Sequence, residues 1–402
     1  MDRESIERAL AAVVPKAANI FREIDTARAQ GRFADTIPHI SELAKPIGDL
    51  LSVQPEFSQL DQMMIDFGGV RLPFDPRYFA TRFLRFACER GTDGALDWVA
   101  KVLGTKEAAA LCVRHVYGLK VEKNVWFGDG RVRLIAFEHL PASDHKTAEK
   151  AKGISWVDGP YPTEMPASAA LVSDVMVRPF FSSSAASAKA ESVLLDGLTG
   201  LENIASALAV AVGKPVLPGD GWAEYVDRDL EAVRSGRGSM TAREDVRSRF
   251  VFDHPFDASS VKAHIEAYID LPRPAYDIVT IASKRFNQAM RRLSPADKVI
   301  DAGVGLEALL GDSEDHGEII ERLSRRAALL IGGDLEQKKG TKNAIKKFYR
   351  MRSAAVHTGR LPARKKTDEI ISEGLSLGLD IIRKVTALGD LPPWEQWELA
   401  GP

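Results

Sequence analysis

Five helical segments, set apart by short glycine-marked breaks, fill Ala275–Leu388 of this 402-residue chain and constrain its fold more than any other feature. The stretch Ala275–Leu293 carries apolar or small residues at Ile278, Ala282, Ala289, Met290 and Leu293, spaced as on a helix face. Ser294 then reads as an N-cap and Pro295 suits the first helical position. Asp297 completes a capping-box spacing and puts a carboxylate where the helix dipole favours one. This second helix stops at Gly311. HGEIIERLSRRAALLIGG predicts a third, ended by Gly332 and Gly333, TKNAIKKFYRMRSAAVHTG a fourth, ended by Gly359, and TDEIISEGLSLGLDIIRKVTALG a fifth. Short loops between long amphipathic helices predict an antiparallel bundle.

Upstream the pattern is more varied. From the start to about Gly118, segments such as SIERALAAVVPKAANIFREI, DPRYFATRFLRFACER and GALDWVAKVLG predict amphipathic helices broken by Gly and Pro. Between Val121 and Leu140, two alternating runs flank Gly128, Asp129 and Gly130 and predict a β-hairpin. Ser168–Phe181 is a further strand candidate, and PASDHKTAEKAKG before it reads as an exposed loop. SSSAASAK, Ser182–Lys189, reads as a linker, helical spacing returns in LLDGLTGLENIASALAVAVG, and Ser235–Asp245 forms another break. The expected fold is mainly α with a small β-sheet insertion. Its parts are a helical region over 1–118, a mixed region with a small antiparallel sheet over 119–270, the bundle over 271–390 and a tail over 391–402. No fixed repeat period is present, which disfavours a solenoid.

Composition narrows the function classes. Two cysteines, Cys88 and Cys112, supply neither a disulfide framework nor a four-ligand zinc site. The first residues carry acids and a proline directly after a short apolar run, unlike a secretory signal. The longest stretch without a charged residue is the 11 residues Asn203–Gly213, short of the roughly 20 needed to cross a bilayer. A cytoplasmic protein with no membrane partner is expected. His139 and His145, near Glu138 and Asp144, lie at a spacing that matches no common zinc site, and neither metal nor cofactor is expected. Gly303–Gly305 lies inside a helix without the lysine of a phosphate loop and reads as a site of close helix packing. Hydrolase-triad, zincin and zinc-ribbon motifs are missing. Trp394 and Trp397 in the tail read as docking residues.

Two charges break the apolar pattern. On the fourth bundle helix Ile345, Phe348, Tyr349, Arg352 and Val356 share one face, so an arginine lies inside a buried stripe. An unpaired guanidinium there would cost several kcal/mol. On the second helix Ile300, Gly303, Val304, Glu307 and Leu310 share a face, and Glu307 is its charged member. An ion pair from Glu307 to Arg352, Arg322 or Arg326 is expected. His357 emerges beside Gly359, about 140° around the helix from Arg352.

The formal charge of −2 hides an uneven distribution. No Asp or Glu occurs between Gln337 and Thr367, where Lys338, Lys339, Lys342, Lys346, Lys347, Arg350, Arg352, Arg360, Arg364, Lys365 and Lys366 make eleven positive residues. The remaining 43 basic and 56 acidic residues leave the rest of the chain at −13. Such a basic segment suits a phosphate-rich ligand.

The spacing R-S-A-A-V-H at the end of the fourth helix resembles the R-x4-6-H motif of HEPN domains. The phrases DAGVGLEALLG, ERLSRRAALLIG and YRMRSAAVHTG, in that order, resemble the Apea-like HEPN group. The resemblance covers about Ala275–Leu388. It implies a helical bundle that forms a homodimer with two motifs facing each other, and in many relatives a metal-independent endoribonuclease. His357 would then transfer protons and Arg352 clamp the phosphate, with Ser353, Glu307 and Tyr349 in support and Lys346, Lys347, Arg350 and Arg360 binding RNA phosphates. Ser353 stands where active relatives more often carry Asn, Asp or His. The implied setting is antiviral defence or a toxin-like stress response, with the N-terminal region sensing a protein or phage trigger. The alternative is a non-catalytic HEPN module that binds RNA, a nucleotide or a protein through the basic helix.

Overall fold

The computed structural model describes residues 2–29, 37–60, 63–66, 71–147, 168–183, 192–233, 239–240, 253–311, 319–361 and 366–400. In chain order the elements begin with α1 (Arg3–Ala29), α2 (Ile37–Ser52), α3 (Pro55–Ser58), β1 (Met63–Asp66), β2 (Arg71–Pro73), α4 (Pro76–Gly104) and β3 (Ala108–Tyr117). They continue with β4 (Val125–Phe127), β5 (Val132–Ala136), β6 (Ala169–Val177), β7 (Phe181–Ser183), α5 (Val193–Val212), β8 (Leu217–Tyr225), α6 (Arg228–Glu231) and β9 (Ser239–Met240). The last part holds α7 (Ala258–Ile269), α8 (Arg273–Arg291), α9 (Pro295–Leu310), α10 (Ile319–Ile331), α11 (Leu335–Thr358), α12 (Thr367–Leu388) and α13 (Trp394–Ala400). The protein is therefore mainly helical, with β1, β2 and β7 in a sheet of order β2-β1-β7 and the others in the order β4-β5-β6-β3-β8-β9.

Two compact units form, and neither is one continuous stretch. The first takes Met1–Cys112, Asp174–Leu198 and Trp222–Met240, and the second Val113–Ser173, Thr199–Gly221 and Thr241–Pro402. In the first, α1, α2 and α4 pack on one another. Asp75 caps α4 by accepting from the Arg77 amide at 2.8 Å, and Gly91, at φ 76°, kinks it. Trp98 is stacked between Phe79 and Phe86, each with its centroid 4.5 Å away, and its indole N–H donates to the Asp229 carbonyl at 2.8 Å. Each stacked pair adds roughly 0.5–1.5 kcal/mol beyond area burial.

Two expectations need correction here. The region before Gly118 is not uniformly helical, because Ala108–Tyr117 is strand β3. Its residues from Val113 to Tyr117 are all buried, so the polar alternation that marks a half-exposed strand is missing. Pro15 and Pro46 do not break helices but lie inside α1 and α2. The region before β3 also contributes β1 and β2.

In the second unit the expected hairpin is present. Phe127 pairs with Val132 across a turn in which Gly128, Asp129 and Gly130 all take positive φ, and β5 pairs antiparallel with β6. The helices expected over Ala275–Leu388 appear as α8 to α12. Ser294 caps α9 by accepting from the Asp297 amide, and Gly359, at φ 67°, ends α11. The buried face of α8 is rotated from the expected one. Ala275, Val279, Ala282, Phe286 and Ala289 are wholly buried, whereas Leu293 is 66% exposed just beyond the helix end. Phe286 sits against Gly305 of α9 and Gly378 of α12, where the missing side chains admit its ring.

Two side chains tie this bundle to α5 and to the residue just before β8. Asn287 exchanges two hydrogen bonds with the Val216 backbone, and Arg383 donates to the Val210 carbonyl at 2.7 and 3.0 Å. Helix α5 is the one described helix long and apolar enough to cross a membrane, and most of it is buried inside the protein. The tail tryptophans form an edge-on pair at 5.8 Å, with Arg326 stacked 5.3 Å from the Trp394 ring. The Ser182–Lys189 linker and the Ser235–Asp245 break lie largely outside the described residues, and the expected exposed loop after Leu140 is described only to residue 147, where residues 144–147 turn helically and His145 is buried.

Candidate functional site

The two charges that interrupt the apolar stripes meet. Helices α9 and α11 approach closely at Gly303, where a Cβ would lie 2.4 Å from the Arg352 Cγ, so the glycine is what lets the arginine stem cross α9. One turn further along α9, on the same face, Glu307 receives the guanidinium. Nη2 of Arg352 lies 2.8 Å from Oε1 and donates to Oε2 at 3.1 Å. Tyr349, one turn before the arginine, donates its hydroxyl to Glu307 Oε1 at 2.5 Å, and the guanidinium carbon lies 5.4 Å from its ring centroid. Burial first, and then the hydrogen bond and charge of Glu307, hold the phenol well above its ordinary range, with Arg352 opposing.

The Arg352 and Glu307 side chains are 21% and 25% exposed. A pair at that depth falls between a surface pair, worth about 1 kcal/mol or less, and a buried one, whose halving costs about 3–5 kcal/mol. The arginine is anchored by one edge only. Its Nε is shut away from solvent and has no hydrogen-bond partner among the described residues. Arg326, an expected alternative partner for Glu307, instead donates to the Leu310 carbonyl at 3.0 Å and to Glu398 at 2.9 Å, closing the end of α9.

His357 occupies a different surface. It lies in the last turn of α11, where residues 356 to 360 are all exposed, and its ring makes no hydrogen bond or ion pair among the described residues. Val356, expected on the buried face, is 47% exposed because that turn stands clear of the bundle. Arg352 precedes His357 by about 7.5 Å along the helix and about 140° around it, so within one chain the two do not converge. Arg350, seven residues earlier and exposed, lies within about 20° of the histidine's direction. Ser353 is half-buried near this edge.

The basic segment is less positive in three dimensions than along the chain. Lys346, expected to bind phosphate, is paired with Glu321 of α10, which also holds Lys342 at 3.3 Å. Both lysines hold the Glu321 carboxyl below the usual carboxylate range. Lys339 pairs with Glu336, and Lys366 with Glu369. Among the described residues Lys347, Arg350 and Arg360 remain exposed without an ion pair, whereas Arg364 and Lys365 lie outside them. Sequence reasoning missed Gly303 as the seat of Arg352 and Glu321 as a neutralising acid. The glycine was visible as one turn before Glu307 on its face, while the Glu321 contact depends on which helices become neighbours.

No group of three or more His, Cys, Asp or Glu side chains positioned to hold a metal occurs among the described residues. His139 instead faces Asn124, with Nδ1 3.2 Å from Oδ1. Comparison with protein-family models, with curated proteins and with solved structures returns no match.

Proposed function

We propose that the C-terminal bundle is a HEPN-type module and that the protein is a metal-independent endoribonuclease. The observation that carries this reading is an arginine anchored through one edge, followed five residues later by an exposed histidine at a glycine-ended helix terminus. RNA supplies its own nucleophile, the 2′-hydroxyl, which attacks the adjacent phosphate and expels the 5′-oxygen of the next nucleotide. The protein then needs proton transfer and stabilisation of the developing negative charge. His357 is suited to move the proton, and Arg352, with fixed donors, to stabilise the phosphate. Lys347, Arg350 and Arg360 guide the RNA backbone. The angular separation of Arg352 from His357 favours a site completed by a second copy, so that each cleft combines groups from two chains. A role in defence or stress, with the N-terminal region answering a trigger, is the setting this reading implies.

A second reading is favoured by one observation: Glu307 already compensates Arg352, as expected of a structural pair in a non-catalytic module that binds RNA, a nucleotide or a protein. Cleavage of single-stranded RNA in the presence of chelator separates the two. The nuclease reading expects wild type to cut and His357→Ala to lose at least a hundredfold in rate, the lower range for one acid–base group. Equal rates for the two proteins would end it.

A further inference from the structure

Gly303, Glu307 and Tyr349 form a slot around Arg352: the stem lies over the glycine, one guanidinium nitrogen spans the two carboxylate oxygens, and the tyrosine hydroxyl holds the carboxylate. Resting on the nuclease reading, we propose that Gly303 and Glu307 are positioning residues for Arg352, and that Glu307 also competes with the substrate phosphodiester for the same guanidinium. The slot leaves Arg352 the Nη1 side of its guanidinium for an incoming phosphate, because Nη2 is engaged and Nε is shut away from solvent. A carboxylate on one side of the guanidinium fixes its plane and simultaneously lowers the local positive potential. Orientation and attraction are thereby set against each other. Turnover gains from the fixed arginine, and affinity for the phosphate is held down.

The slot also requires arginine in particular. A lysine ammonium can donate to both oxyanions, but only from one nitrogen on a flexible stem, so it holds neither in a fixed plane. At position 303 a methyl group would meet Cγ at 2.4 Å and also approach Cδ and Cβ at 3.2 and 3.3 Å. Those atoms lie near the backbone, so the arginine cannot swing aside without leaving the carboxylate.

The test compares wild type, Glu307→Gln, Gly303→Ala and Arg352→Lys in two assays. The first is binding of a fully 2′-O-methylated oligoribonucleotide, which cannot undergo the reaction. The second is cleavage of the same sequence as RNA. Glu307→Gln is expected to bind the modified RNA severalfold more tightly yet cleave more slowly, so that KM and kcat fall together. A role confined to folding would not produce that combination. Gly303→Ala and Arg352→Lys are expected to lose both affinity and rate. If Glu307→Gln binds no tighter than wild type, the competition is refuted, whatever the cleavage result. If Gly303→Ala binds and cleaves as wild type does, the positioning role of the glycine is refuted. A wild type that binds but does not cleave ends the nuclease reading alone, because the binding comparison still decides whether Glu307 competes for Arg352.

Discussion

Replacing Gly378 by alanine in α12 should destabilise the bundle, although the same change normally strengthens a helix. Alanine in a helix interior is favoured over glycine by about 1 kcal/mol. At position 378, however, the added methyl would lie 2.0 Å from Cζ and 2.1 Å from Cε1 of Phe286, a wholly buried ring. The ring has little room to retreat. Its other edge already rests on Gly305, with Cδ2 and Cε2 2.8 and 2.9 Å from where a Cβ would stand. Forcing extra carbon into such a core costs about 1–3 kcal/mol and occasionally more, and contacts this short put the cost at the upper end, so the clash outweighs the propensity gain and leaves a net loss of about 2 kcal/mol. Gly340 of α11 provides the opposite case: it is exposed and, its own helix backbone aside, no described atom lies within 4 Å of where an added methyl would stand, so Gly340→Ala should stabilise by about 0.5–1 kcal/mol. Urea denaturation of the two variants should show midpoints displaced in opposite directions. A Gly378→Ala protein as stable as wild type would refute the reasoning. Adding Phe286→Leu to Gly378→Ala should cost less than Phe286→Leu alone predicts, since the two changes share one space.

Further tests probe other parts of the second unit. Burial, then the nearby Arg383 charge, hold the His264 imidazole down at about 4 from its ordinary 6.5, so the folded protein keeps it neutral while the unfolded chain takes up a proton near 6.5. Its contribution to stability is therefore complete above pH 6.5 and drains away between 6.5 and about 4, by at most about 1.4 kcal/mol per pH unit; denaturation at stepped pH should show His264→Gln with a flatter acid limb. Tyr349→Phe removes the donor to Glu307 and should cost about 1.5–3 kcal/mol in chemical denaturation, the range for hydrogen bonds to charged groups. Glu398→Ala removes the partner that Arg325 and Arg326 hold at 3.0 and 2.9 Å, and hydrogen exchange should show the amides of α13 exchanging faster than in wild type.

Much of the bundle was legible because its signals are local. A serine, a proline and a glycine at the right offsets reported the ends of α9 and α11, since capping chemistry acts within one turn. The Glu307–Arg352 pair was legible for a different reason: a charge inside an apolar stripe demands compensation, and only a few opposite charges were placed to supply it. Strand β3 was not legible, because burial on both sides removes the alternation that separates a strand from a helical segment. The neutralisation of Lys342 and Lys346 was hidden as well. It depends on Glu321 belonging to a helix that packs beside theirs, which linear charge counting cannot resolve. The histidine could be placed at a helix end from sequence, but its alignment with Arg350 rather than Arg352 follows only once the helix is continuous to Thr358.

The interleaved chain has a consequence for how this protein is made. Residues 113–173 and 199–221 belong to the same unit as the bundle helices, yet the ribosome releases them long before α8 to α12 exist. Strands β3 to β6 and β8 can pair with one another as they emerge, but the Val210 and Val216 backbone groups lack Arg383 and Asn287 until the bundle helices are made, while the first unit already has its last segment once residue 240 has emerged. Arg352 and His357 are put in place only after both of these segments have emerged. Every residue up to Met351 must emerge before Arg352 can enter its slot beside Gly303 and Glu307, so no shorter length of chain carries the paired site.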